Sequence, residues 1–296
     1  MVTEESLELR SIPLRTRVLR SGEGPPVLLL HGTPDSAGEW RPVMEALGSR
    51  VACFAPDLPG LGASAEPPPS FDYSRVACEA FLDDLVGTLG IDRPLVLVVH
   101  DIGGVLGIPW AARNLQRVRG VVITNTVIFE HFPWFGIGKL WGRSDSVGRA
   151  LASATMWQIG WLDGRIFGRA FRRISPELPA ADLDRMVREF ACDPKSKRST
   201  LRLFRQMIPH AYFDGVDAMV REMIQRVPVR VVWGLGDPYI PARYAKAFPG
   251  VEPEILPTGG HWIPLSAPGR VAAAVQAVLG AGRRAVSGLS SGAATK

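Results

Sequence analysis

Between residues 27 and 127 the chain repeats one unit: an apolar run of four to six residues, a turn rich in Gly, Pro or Asp, and a longer segment at helical spacing. Alternation of this kind specifies a parallel sheet, because parallel neighbours need a crossover of about a dozen residues or more, usually a helix. Strands are expected over 27–30, 51–55, 95–99 and 121–124, and later over 229–233 and 254–256. Their runs are apolar throughout rather than alternating, as in strands covered by helices on both faces. Helices are expected over 37–47, 73–89, 103–114, 242–248 and 266–279.

From residue 128 to 225 the rhythm changes to helical segments only. Four of the eight tryptophans (Trp134, Trp141, Trp157, Trp161) and eight of the twelve phenylalanines fall there, more aromatic surface than a thin solvated layer needs. The expected organisation is a core of residues 1–127 and 226–280, a helical cap over 128–225, and a small, polar, flexible tail over 281–296. Most cap aromatics are expected to pack the insert onto the core, and some to face a cavity between the two, where ligand sites commonly form.

A chain of 296 residues with 46% hydrophobic and 21% charged residues has the balance of a folded protein. Its three cysteines, odd in number and widely spaced, form neither a disulfide framework nor a zinc spacing, which points to a reducing, cytoplasmic setting. The first ten residues carry Glu4, Glu5 and Glu8 and do not resemble a signal peptide. The apolar runs are strand-sized, short of the roughly 20 residues of a membrane helix, so no membrane partner is expected. The net charge of +5 comes from scattered basic residues without a recognition motif, which argues against nucleic acid. No metal cluster or dinucleotide fingerprint is present, so no cofactor is expected. Nothing in the sequence indicates an oligomeric state.

The segment most telling for chemistry is Leu95-Val-Leu-Val-Val-His-Asp-Ile-Gly-Gly104, an apolar strand running into a polar residue flanked by small ones and then into a helix. This is the pattern of a nucleophile elbow, with Asp101 at the bend. A carboxylate needs no base to activate it, and it attacks an sp3 carbon to form an alkyl ester. Hydrolysing that ester calls for a histidine oriented by an acid. In chain order the sequence supplies Asp237, after a strand in Trp233-Gly-Leu-Gly-Asp-Pro238, and then His261 in Gly259-Gly-His-Trp262. His31-Gly-Thr-Pro34 ends an earlier strand and offers the Thr33 amide to an oxyanion, partnered by the Ile102 amide. Taken singly, Asp101 also reads as a helix N-cap, Asp237 as a turn residue before Pro238, and His261 as a loop histidine. His31 and His100 read as structural neighbours of the site, and His131 and His210 have no identifiable partner.

These segments, with Asp57-Leu-Pro-Gly-Leu-Gly-Ala-Ser64, resemble the α/β-hydrolase superfamily, and within it the epoxide hydrolase and haloalkane dehalogenase branch, over residues 25 to 280. The resemblance implies an α/β-hydrolase fold, a mostly parallel central sheet flanked by helices with an inserted helical cap. It also implies Asp101 as nucleophile, His261 as water-activating base and Asp237 as acid. In some dehalogenases the acid follows the strand before the cap; here that stretch reads Thr124-Asn-Thr126, which favours Asp237, with Glu130 a distant second.

The sequence also departs from both patterns. Dehalogenases of this kind generally hold the halide with a Trp after the nucleophile and an Asn or Trp after the His-Gly segment, positions that are Ile102 and Thr33 here; fluoroacetate-type enzymes place an Arg where Ile102 stands. Epoxide hydrolases generally protonate the leaving alkoxide from cap tyrosines, and Phe204 stands at one of those positions. Tyr212, the only tyrosine of the insert, is the remaining candidate donor, with His210 a weaker one. Trp134, Phe204 and Trp262 are expected to line the substrate site. The expected function is therefore a cofactor-independent hydrolase acting with water on an apolar small molecule, epoxide hydrolase-like. The alternatives are a dehalogenase with an atypical halide site, or a non-catalytic ligand-binding homologue. Arg165, Arg169, Arg172, Arg173, Arg198, Arg202 and Arg205 of the insert read either as a solvated face or as a steering field for anions.

Overall fold

The computed structural model describes residues 1–130, 132–134 and 136–290, with the side chains of 210 and 282–290 also outside the described set. Eight strands form one sheet: β1 (Thr3–Glu8), β2 (Arg15–Ser21), β3 (Pro26–Leu30), β4 (Ala52–Pro56), β5 (Leu95–Asp101), β6 (Val118–Thr126), β7 (Val229–Gly234) and β8 (Glu254–Leu256). Their order is β1-β2-β4-β3-β5-β6-β7-β8, parallel from β4 to β8. The six strands expected from sequence are all present. The antiparallel pair β1 and β2 is additional, and its apolar signal is weak for a physical reason. β1 is an edge strand with charged residues along it, and Arg20 of β2 pairs with Glu5 at 2.6 Å. Charge on an edge discourages pairing with other chains and hides the strand from a hydrophobicity reading.

The central strands are buried on both faces, as their continuous apolar runs require. Leu95, Leu97 and Val99 of β5 join a cluster with α2 (Arg75–Thr88), α3 (Ile102–Arg113) and α9 (Val216–Arg226) on one side. Val96 and Val98 join a second cluster with α1 (Arg41–Leu47) and α11 (Pro268–Ser290) on the other. α11 extends ten residues beyond the expected start of the tail at 281, and residues 291–296 lie outside the described residues.

Between β6 and β7 lie α4 (Gly136–Trp141), α5 (Ser146–Gln158), α6 (Arg165–Ile174), α7 (Ala180–Met186) with a π-helical continuation at Val187–Ala191, and α8 (Pro194–Met207). This helical layer has its own apolar cluster, including Met156, Phe167, Met186 and Phe190, which Trp262 and Leu265 of the core enter from below. α9 follows in sequence, but it packs on α3 within the core layer. The sequence reading had placed it in the cap. The short helix α10 (Ile263–Ser266) begins just after His261.

Polar contacts hold the cap over the C-terminal ends of the strands. Arg185 of α7 reaches Asp35 at 2.9 Å and also pairs with Asp182. Arg17 of β2 binds Asp57 at 2.7 Å and Glu189 of the π-helical turn at 3.2 Å. Lys195 donates to the carbonyls of Gly62 and Ser64, Arg202 to those of Pro67, Pro68 and Phe71, and Arg198 pairs with Glu66.

Glycine is demanded where β3, β5 and α3 meet. A Cβ on Gly103 would lie 2.2 Å from the carbonyl oxygen of Leu30, and one on Gly32 would lie 2.4 Å from the Cβ of Asp101. Backbone cannot yield as a flexible side chain does. Gly103→Ala is therefore expected to cost about 1–3 kcal/mol, the range for overpacking a core, measured as a lowered urea midpoint with an unchanged slope.

Candidate active site

β5 ends in a sharp turn into α3, with Asp101 at φ 48°, a conformation that costs an L-residue roughly 1–3 kcal/mol and survives only where its surroundings enforce it. Asp101 occupies the N-cap position of α3, yet its side chain makes no capping bond, so the capping reading does not account for it. Instead, Oδ1 accepts a hydrogen bond from the Thr33 amide at 3.0 Å, and Oδ2 lies 3.7 Å from Nε2 of His261. Ile102 is the first residue of α3, so its amide belongs to the free donors of the first helical turn, beside the same carboxylate. The two carboxylate oxygens thus face different surroundings, one a backbone donor and the other an imidazole.

His261 is 2% exposed and hydrogen-bonds through Nδ1 to Oδ2 of Asp237 at 2.8 Å. With a carboxylate accepting there, Nδ1 carries the proton and Nε2 presents a lone pair towards Asp101. Asp237 follows β7, and its Oδ1 accepts from the amides of Tyr239 and Ile240 at 2.7 and 2.9 Å. Burial would raise its pKa, but His261, Asn125 and the Ile240 amide outweigh that and hold it below the usual carboxylate range. Asn125, at the end of β6, donates from Nδ2 to Asp237 at 2.6 Å and accepts from the Gly234 amide at 3.1 Å. It occupies the alternative acid position and serves as a donor to the acid that is present. Glu130 lies elsewhere and accepts from the Asp217 amide.

Beneath this row are two buried histidines. Nε2 of His31 accepts from the Leu58 amide at 2.9 Å, so Nδ1 donates to the Gly32 carbonyl at 2.7 Å, a neutral ring whose pKa is lowered by burial. Nδ1 of His100 lies 3.1 Å from Oε2 of Glu39, and its Nε2–H donates to the His261 carbonyl at 3.1 Å. Burial pushes Glu39 well above the usual carboxylate range and lowers His100, so the shared proton rests on Glu39, which donates it to Nδ1. The pair is neutral and ties the His261 backbone to the elbow strand.

Above the carboxylate lies a cavity of about 330 Å³, lined almost entirely by apolar side chains of core and cap. Trp134, Phe204 and Trp262 are among its lining residues. The indole N–H groups of Trp134 and Trp262 are shielded from solvent, and neither has a hydrogen-bond partner among the described residues. Tyr212 is not brought to the cavity: it packs edge-on to Phe213 in the α2–α3 layer with its hydroxyl beside Cys78, and that burial raises its pKa well above the ordinary value. The His210 side chain and the whole of His131 lie outside the described residues.

The tyrosine in the cavity wall is Tyr239, two residues after the acid, with its ring 5.0 Å from that of His261. Burial, partly offset by Ser175, pushes its hydroxyl up to about 12. Tyr239 lies on a core loop and not in the insert where Tyr212 is expected to act, and its sequence signal is proximity to Asp237 in Asp237-Pro-Tyr239. Among the described residues no group of three or more His, Cys, Asp or Glu could hold a metal ion.

The Asn125–Asp237 contact makes a pH-dependent prediction. Asn125→Asp would set two carboxylates within hydrogen-bond distance, forcing one to keep its proton at a raised pKa. A raised native pKa means that the folded protein binds a proton the unfolded chain releases above about pH 4, so stability falls as pH rises from there. The melting temperature of Asn125→Asp relative to wild type is expected to drop progressively between about pH 4 and 7; a constant difference would refute the shared-proton account.

Known proteins resemble this chain along most of its length. The chain is 29% identical over 267 residues to a cis-3-alkyl-4-alkyloxetan-2-one decarboxylase of Xanthomonas campestris pv. campestris, covering 81% of this chain and 83% of that one. It is 28% identical over 270 residues to haloalkane dehalogenase 2 of Mycobacterium tuberculosis, covering 88% and 90%. The epoxide hydrolase CorEH superposes with a TM-score of 0.74 at 23% identity, covering 95% of this chain and 99% of that one, a likeness of fold. The model of the alpha/beta hydrolase family matches residues 27–274, and the chain belongs to that family.

Proposed function

We propose that this hydrolase opens an epoxide on an apolar small molecule through an alkyl ester on Asp101, without a cofactor. The reading is carried by a carboxylate at the strained elbow whose Oδ2 lies 3.7 Å from Nε2 of a histidine that Asp237 orients. In the first step Oδ2 attacks a ring carbon as its C–O bond breaks, and the ring oxygen takes the proton of the Tyr239 hydroxyl. In the second step a water gives its proton to Nε2 of His261 and attacks Cγ of the ester, with the oxyanion on Oδ1 held by the Thr33 amide. Collapse returns the proton from His261 to the departing diol. The regenerated carboxylic acid ionises, and its proton restores the Tyr239 phenol. The apolar lining supports this scheme, since excluding bulk water strengthens each of these polar contacts. Three free thiols, Cys192 exposed among them, agree with a reducing cytoplasmic location.

A second reading, displacement of halide from a haloalkane, is favoured by the two unpartnered indole N–H groups of Trp134 and Trp262. They would stand in for the donors that Ile102 and Thr33 do not supply. The relative named for oxetan-2-ones adds a third substrate, another strained oxygen ring, to the panel.

His261→Gln should leave the first step intact and trap the ester. Intact-protein mass spectrometry after exposure to epoxides, haloalkanes and a cis-3,4-dialkyloxetan-2-one is expected to show an adduct of one whole epoxide, absent in Asp101→Ala/His261→Gln. An adduct equal to a haloalkane less hydrogen halide would establish the second reading, and no adduct with any of them would favour a binding protein.

Tyr239→Phe is expected to slow epoxide turnover by about 10²–10³-fold, the usual cost of one transition-state donor, while leaving halide release unchanged. Equal loss on both substrates would remove the phenol from the mechanism.

A further inference from the structure

The outer side of the cap combines exposed aromatic and aliphatic residues with unpaired arginines. Trp157 is 66% exposed, Trp161 43% and Leu162 69%, and the two indole rings touch edge to face at 5.0 Å. Leu162 stands in the turn between α5 and α6 at φ 52°, and Asp163 after it at 55°, so the backbone is bent there in a way that presents the leucine to solvent. Val147 and Leu151, exposed on α5, and Ile166, exposed on α6, add to the same stretch of chain. Large apolar side chains this concentrated are unusual on a solvated surface.

α6 divides its two functions by face. Phe167 and Phe171, with rings stacked at 4.4 Å, point inward and line the catalytic cavity. Arg165, Arg169, Arg172 and Arg173 point outward along an open groove that also carries Asp163 and Asp184. None of the four forms an ion pair among the described residues, in contrast to Arg185, Arg198 and Arg202, which bind the core. Residues 146–174 contain five arginines and one acid, a net charge of +4. Tryptophan beside leucine at the tip of a turn, flanked by arginines, is the composition that seats at the headgroup level of a bilayer, where indoles prefer the interface and guanidinium groups meet phosphate.

We propose that this face of the cap docks on an anionic lipid surface, with Trp157, Trp161 and Leu162 entering the interface and the α6 arginines on the headgroups. The sequence reading excluded a membrane because no segment is long enough to span one, and among the described residues no helix is long and apolar enough to do so. Surface docking needs no spanning helix. It would bring the helix that walls the cavity against the phase in which apolar molecules concentrate.

The test is co-sedimentation with vesicles, read without turnover and so independent of the reaction proposed above. Wild type is expected to pellet with vesicles of phosphatidylcholine and phosphatidylglycerol at roughly 7:3 and not with phosphatidylcholine alone, and to be released as salt rises from about 0.05 to 0.5 M. Replacing Arg165, Arg169, Arg172 and Arg173 together by Gln should lower the partition coefficient by about 600-fold, taking each basic residue as worth about fivefold. Trp157→Ala/Trp161→Ala/Leu162→Ala should lower it comparably, with both variants keeping the wild-type melting temperature. Absence of wild-type binding, or binding unaffected by both sets of substitutions, would overturn the proposal. So would a dimer in light scattering that the tryptophan variant dissociates without any vesicle binding, which would assign the face to a second copy of the chain.

Discussion

The close approach of β3, β5 and α3 is the constraint on which the site depends. Asp101 keeps its left-handed backbone because the surrounding packing leaves the chain no relaxed alternative: Gly103 lies against the Leu30 carbonyl, Gly32 against the Asp101 Cβ, and Gly104 against Thr126. Strain of this size is small beside the burial of β5, whose apolar residues from Leu95 to Val99 are fully enclosed. That bend lifts the carboxylate out of the sheet plane towards the Thr33 amide on one side and His261 on the other.

Charge around the imidazole is limited with comparable care. Glu39 and His100 sit directly beneath and share a proton as a neutral pair, so no additional fixed charge competes with Asp101 for His261. Asn125 occupies the end of β6, where a second carboxylate would repel Asp237, and its amide spends one end on Asp237 and the other on the Gly234 backbone. A single acid is thereby directed at Nδ1 of His261, which leaves Nε2 facing Asp101.

The cap separates its polar and apolar work by position. Arg185, Arg198, Arg202 and Lys195 grip core carbonyls and carboxylates around the rim, while Trp134, Phe167, Phe171 and Phe204 close the space above Asp101. Rim ion pairs of this kind give orientation more than net stability, because desolvation offsets most of their Coulomb attraction. The apolar lining makes the cavity a surrounding of low polarity, in which a few polar atoms have large effects.

The six strands from β3 to β8 were legible as continuous apolar runs, and the elbow, acid and histidine were legible because each lies at a strand end in a short local motif. β1 and β2 were not, since their charged, edge-forming residues carry little hydrophobic signal. α9 was assigned to the cap because helical spacing does not say which layer a helix joins. Tyr212 and Tyr239 show the same limit within the site: both are tyrosines at plausible positions, yet one packs beside Cys78 and the other faces the cavity. Local sequence by itself determined the fold family and singled out Asp101, Asp237 and His261 as candidates, because backbone periodicity and tight turns are short-range properties. That Tyr239 rather than Tyr212 lines the cavity beside Trp134 and Trp262 was decided only by the tertiary structure, because side-chain direction depends on packing between segments far apart in the chain.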